Sequence, residues 1–154
     1  MLAFLIFIGA LVFFYKFSID LTSSSENSVN DLISGAKDVS NLLITSGYPP
    51  NWNSSTVILF GLTDADRLND TKVYFFSQQE YNSSKSLLST QYNYYVFFEY
   101  TNGTQAVVGN VTGIGKPGIN ASNVLQVANP RNIVKIDRLV IYNSSIVRMK
   151  LYMW

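Results

Sequence analysis

Neither cysteine nor histidine occurs in this sequence. Their absence removes thiol nucleophiles, disulfides, imidazole bases, zinc sites and most transition-metal sites together, and with them most familiar catalytic chemistry. Charge is scarce as well. Charged side chains make up 14% of the residues, where about 25% is usual. The formal net charge of +1 supplies no field to steer nucleic acid or an acidic substrate, and no run of Lys or Arg appears. No proline precedes Pro49, so residues 1–46 are free to form one nearly continuous helix. With 154 residues, the chain is long enough for one domain with a real core and too short for two.

What is abundant is apolar surface: 47% of the residues are hydrophobic and 14% aromatic. The opening stretch MLAFLIFIGALVFFY carries no charge and is hydrophobic all round a helix. Apolar residues continue past Lys16 through Phe17, Ile19 and Leu21. Counted to Leu21, such a helix would be ~30 Å long, about the hydrocarbon thickness of a bilayer. Nothing basic precedes the run and no A-x-A site follows it, so retention is expected over cleavage as a secretory signal. Lys16 and Asp20, four apart on one helix face, mark the water boundary as an ion pair or as two separate interface charges.

The pattern N-x-S/T occurs at Asn53, Asn69, Asn82, Asn102, Asn110, Asn120 and Asn143, all beyond the apolar stretch. Independent placement of the same residues gives roughly two to three such sites. A glycosylated outer surface accounts for the excess; so, less directly, does the turn preference of Asn and Ser.

Along the chain, TSSSENS at 22–28 is a polar stretch through which the helix either passes or loosens. Val29, Leu32, Ile33, Ala36, Val39 and Leu43 then form a helical apolar stripe, preceded by the capping-box pair Ser28 and Asp31. Gly47 and the pair Pro49-Pro50 end it. After an apolar run at 57–60 and a turn-rich patch at 64–70, helices are expected at 71–79 and 83–89. The strongest strand is 92–100, apolar on both sides as in a central strand. Asn102-Gly103 turns it into 105–108, and 134–142 with 146–153 read as a closing hairpin.

An apolar N-terminal helix running into an amphipathic one and then into a small β-rich region resembles a type IV pilin, in detail the archaeal pilin-like proteins made with class III signal peptides. The resemblance rests most on LLITSGYPPNWNSSTVILFGLTD, RLNDTK, YNYYVFFEYTNGT and the closing RLVIYNSSIVRMKLYMW. It implies an α+β fold of pilin-like lollipop shape, with a stem at residues 1–24 and an amphipathic helix plus antiparallel β-rich extracellular head at 25–154. It also implies a helical homopolymer at the cell surface, membrane-inserted before assembly and serving adhesion or attachment. Its core would be packed by Leu2, Phe4, Leu5, Ile6, Ile8, Leu11, Val12, Phe13, Phe14 and Phe17. Bacterial pilins of this architecture commonly carry a glutamate at position five; here Leu5 stands there, and with no charged leader before the apolar run Met1 is either the processed terminus or an arbitrary start. The rival reading is a single-pass, membrane-anchored, glycosylated receptor or binding protein.

Motifs of other chemistries are incomplete. Ser34-Gly35-Ala36-Lys37 fits S-x-x-K without the partner motifs of serine acyl enzymes. The stretch Gly113 to Gly118 fits G-x-G-x-x-G, but Pro117 removes an N–H from the would-be phosphate cradle. Asp64, Asp66 and Asp70 suggest calcium only weakly, lacking the loop glycine of an EF-hand. The aromatics Tyr92, Tyr94, Tyr95, Phe97 and Phe98 have no basic groove beside them for nucleic acid. The expectation is a non-enzymatic structural protein without catalytic residues, cofactor or metal, whose partners are its own copies and N-linked glycans. The outward Arg148, Lys150, Tyr152 and Trp154 of the last strand are expected to touch a neighbouring subunit or the stem.

Overall fold

The computed structural model describes residues 2–127 and 132–154, with side chains at 6–17 and from 28 onward. Two compact units divide the chain, Met1–Asp31 and Leu32–Trp154. Helix α1 spans Leu2–Leu43. Its backbone passes through the polar 22–28 stretch without a break, so Ser28 and Asp31 are interior residues and no cap forms there.

The second unit begins with the last turns of α1. Leu32, Ala36, Val39 and Leu43 are buried, so the three-and-four spacing becomes a packed face from Leu32 onward, while Ile33 is half-buried and Val29, at the start of the expected stripe, stays exposed. A helix end leaves carbonyls without partners, and here the returning chain supplies them. The Leu62 N–H donates to the Leu43 carbonyl at 2.8 Å and the Thr63 hydroxyl to that of Ile44 at 2.5 Å. The same return brings Gly61 against Gly47, whose φ is +72°, while the Trp52 indole N–H donates to the Gly61 carbonyl at 3.0 Å. Trp52, Phe60 and Phe76 pack in sequence from this corner into the core, with ring centroids 5.5 and 4.5 Å apart.

The sheet is built from β1 (Thr63–Asp64), β2 (Arg67–Leu68), β3 (Tyr94–Tyr100), β4 (Gln105–Ala106), β5 (Ile114–Gly115), β6 (Val134–Tyr142) and β7 (Ser145–Met153). Helices α2 (Asp70–Ser77), α3 (Tyr81–Leu87) and the short α4 (Val124–Val127) lie between them. Strand order is β1-β2-β6-β7-β3-β4, with β5 also on β3. The β6–β7 hairpin turns at Asn143 and Ser144, both at positive φ, and its nine pairs run from Tyr142 opposite Ser145 to Val134 opposite Met153.

The expected fold, a pilin-like lollipop of a long hydrophobic helix on a small antiparallel sheet, is overturned. The sheet has seven strands and is mixed, because β2 runs parallel to β6 at Arg67 opposite Ile141. That pairing depends on the tight turn at Ala65 and Asp66, with φ of 48° and 63°, which brings the Asp66 carbonyl to the Ile141 N–H at 3.0 Å. Strands of two residues are too short to alternate, so the sequence reads only as turn. Helix α1, though 42 residues long, is polar and amphipathic in its second half. Among the described residues no helix is long and apolar enough to cross a membrane.

Two layers of core cover β3. Tyr94, Val96 and Phe98 face the main cluster with Val147, Met149, Leu151 and Met153, while Tyr95 and Phe97 face a second cluster with Val124, Ile119, Tyr152 and Trp154. Gly113 lies so close to the Tyr95 ring, and Gly115 to the Tyr94 carbonyl, that neither admits a Cβ. The G-x-G pattern thus serves the close antiparallel pairing of β5 alongside β3.

Gly61→Ala tests the corner that seats α1. Its Cβ would meet the backbone of Gly47 and Thr45, which cannot rotate away. A loss of roughly 2–3 kcal/mol is expected in denaturant melts, and an unchanged midpoint would show that the corner yields freely.

Candidate functional site

Helix α1 carries the most unusual surface. Every described apolar side chain from Ile6 to Phe17 is exposed, from 42% at Ile8 to 69% at Tyr15. Covering one such side chain fully is worth about 1.5–3 kcal/mol. Nine of them together, Ile6, Phe7, Ile8, Leu11, Val12, Phe13, Phe14, Tyr15 and Phe17, therefore amount to roughly 10–20 kcal/mol once their partial exposure is allowed for, at or above the ~5–15 kcal/mol that holds a typical domain together. Their positions surround the helix, so no rotation hides them. Of the residues expected to pack a polymer core, Ile6, Ile8, Leu11, Val12, Phe13, Phe14 and Phe17 belong to this surface, while the side chains of Leu2, Phe4 and Leu5 lie outside the described ones, as does that of Asp20 beside Lys16.

Six of the seven N-x-S/T asparagines are exposed: Asn53, Asn82, Asn102, Asn110, Asn120 and Asn143. Three form Asx turns, in which the side-chain oxygen accepts the N–H two residues on: Asn53 from Ser55 at 2.9 Å, Asn102 from Thr104 at 3.0 Å and Asn120 from Ser122 at 2.9 Å. Asn69 differs. It caps α2 by accepting from the Lys72 N–H at 3.1 Å, and its amide nitrogen donates to Asp64 at 2.7 Å.

Asp64, Asn69 and Lys72 form a polar cluster at the start of α2. The Lys72 ammonium is buried, donating to Asp64 at 2.5 Å and to the Ser46 carbonyl at 2.8 Å. Burial pushes the Asp64 carboxyl up, but the bonds from Lys72 and Asn69 outweigh it and hold the group below the ordinary aspartate range. The other members of the suggested calcium set are engaged elsewhere or apart: Asp70 accepts from the Gly109 N–H at 3.0 Å, and Asp66 sits exposed in its turn. Among the described residues no group of three His, Cys, Asp or Glu is placed to hold a metal ion.

The remaining motifs serve structure. Ser34 and Lys37 are exposed on α1. Tyr94, Tyr95, Phe97 and Phe98 are buried, and burial pushes the Tyr94 phenol up while its oxygen meets the Ser84 hydroxyl at 2.5 Å. The expected outward contacts of the last strand prove to be largely internal. Lys150 and Arg148 reach Glu99 at 3.0 and 3.8 Å, Tyr152 stacks on Phe97 at 5.6 Å, and Trp154 joins the second cluster under Lys116. A sequence pattern shows one strand's free side but not a loop, here residues 114–127, folded over it.

Comparison with protein-family models, with curated proteins and with solved structures finds no match to this chain.

The buried ammonium yields a paired prediction. Asp64→Asn leaves Lys72 with neutral acceptors only and should cost about 2 kcal/mol, less than a fully enclosed pair because half of Asp64 is in water. Lys72→Met removes the charge itself and should cost less. Because the folded carboxyl titrates below its unfolded value of about 3.9, its contribution is complete above that pH and lost as pH falls through the folded value. Acid titrations of wild type and Asp64→Asn should therefore converge as pH falls below the ordinary aspartate range; parallel curves would contradict the assignment.

Proposed function

We propose that this chain is a structural, non-enzymatic subunit of an extracellular filament of the type IV pilus kind, related to the archaeal pilin-like proteins. It polymerises through its N-terminal helix and serves adhesion or surface attachment. The observation that supports this reading is the all-round exposure of Ile6 to Phe17. A helix apolar on every side has two stable environments, lipid and other apolar helices. Before assembly the membrane holds it; in the filament, copies of the same helix do.

The exposed N-x-S/T asparagines suit this location. N-linked glycan adds hydrophilic cover to a surface with only 14% charged residues. At Asn69 the amide nitrogen that would carry a sugar is bound to Asp64, so this acceptor is the one the fold disfavours.

A single-pass surface receptor would use the same helix in lipid and never release it. Two measurements separate the readings. Ile8→Asp should abolish filaments in native preparations while leaving the second unit's melting unchanged, because a buried charge among packed helices is costly and that unit's core lies elsewhere. Abundant filaments carrying the Asp would refute the helix as the core. Intact-mass analysis of native material should exceed the polypeptide mass, with glycopeptides at exposed acceptors and none at Asn69. A bare mass would leave the Asx turns as the whole explanation of the repeated pattern.

A further inference from the structure

Among the described residues, strand β6 has a partner on only one side for most of its length. With β7 it makes nine consecutive pairs, whereas β2 meets it at Ile141 alone. Hydrogen bonding alternates along an antiparallel strand, each residue turning its N–H and C=O to one side. The Ile141 N–H points away from β7, to the Asp66 carbonyl. Lys135, Asp137 and Leu139 share its parity and direct their backbone groups to the same outer edge. Among the described residues nothing takes these groups up. Edge strands are commonly blunted by proline, a bulge, brevity or charge; β6 is nine residues long with no proline or bulge, and the charges at its edge, Lys135 and Asp137, are of opposite sign.

The side chains at the edge are self-complementary. Val140, Arg138, Ile136 and Val134 pair with the buried residues of β7 and share their face, so Lys135, Asp137 and Leu139 lie on the other, where all three are exposed. In a two-fold antiparallel pairing of two β6 strands, residues of one face meet only if the axis passes through a residue. An axis at Lys135 sets lysine against lysine, one at Asp137 sets aspartate against aspartate, and one at Arg138 sets arginine against arginine. An axis at Ile136 sets Lys135 against Asp137 twice, places Leu139 opposite Ile133 twice, and brings the two Ile136 side chains together. Opposite charges facing across strands stabilise a pair, and like charges oppose it.

We propose that this edge is an interaction surface for a second copy of the chain, which adds its own β6 antiparallel about a two-fold axis at Ile136. The occupant follows from charge complementarity: the strand that best matches the order Lys135, Ile136, Asp137 is the same strand reversed. A two-fold axis reverses direction, so the contact joins copies from different polar stacks, or two unassembled subunits. It does not depend on the filament reading.

The lack of cysteine makes the register directly testable. Across the axis the two Ile136 residues form a non-hydrogen-bonded pair, the closer kind, within reach of a disulfide. Full-length Ile136→Cys in detergent micelles should cross-link to a covalent dimer on mild oxidation, while Ser145→Cys, at the hairpin turn, should not. In sedimentation of the full chain in the same detergent, Lys135→Asp or Asp137→Lys alone should weaken self-association roughly tenfold, and the two together should restore it. Sparse cross-linking at position 136 with charge variants that sediment like wild type would overturn the proposal. So would cross-linking equal at both cysteine positions, or failure of the double reversal to restore what each single one removes.

Discussion

The pairing of β3 with β7 is the interaction on which the folded unit depends. Seven consecutive pairs, from Tyr94 opposite Met153 to Tyr100 opposite Val147, place alternate residues of both strands into separate cores. One layer receives Tyr94, Val96 and Phe98 with four buried residues of β7, and α1, α2 and α3 close over it; the other receives Tyr95 and Phe97 beneath residues 114–127. Slipping the register by one residue would exchange the two faces along the whole ladder. Glu99 fixes the polar end of that ladder by meeting Lys150 and Arg148. The neighbouring strand is tied to the helix from the main-core side, where Arg138 donates to the Ser40 hydroxyl at 3.0 Å and to Asn41.

That unit satisfies its own polar groups: no buried side-chain nitrogen or oxygen among the described residues lacks a partner. The contrast with residues 6–17 is one of kind. A fold that seats even a lysine ammonium between a carboxylate and a carbonyl leaves nine large apolar side chains in the open on one helix. Contiguous exposed apolar surface on this scale marks an interaction site. On the proposed reading that cover is lipid or further copies of the helix, so function here is read from an open surface and not from a cleft.

Sequence patterns were informative where one period ran long enough to be read. The stripe from Leu32 to Leu43, the strand ending at Tyr100 and the hairpin at Asn143 all appear within a residue or two of their expected limits. What the patterns missed depends on distant pairing. The two-residue strands β1, β2 and β5 carry no alternation, and the parallel contact of β2 with β6 joins residues more than seventy apart. For that reason the sheet was expected to be purely antiparallel. The last strand's aromatics looked outward for the same reason, since nothing in their own spacing tells that residues 114–127 return to cover them. At the candidate site the apolar helix and the exposed asparagines were legible from residue type alone. The capping role that sets Asn69 apart was not, because it depends on the Asp64 and Lys72 side chains meeting there.

The central claim is that copies of residues 6–17 cover one another in the working form of the protein. Electron cryo-microscopy of the native cell-surface assembly tests it most directly. The account predicts a helical filament whose axis is filled by closely packed α-helices, with Ile6 to Phe17 in contact between subunits and no lipid beside them. Isolated particles, each with this helix enclosed singly in lipid or detergent and no helix–helix contact between copies, would contradict it.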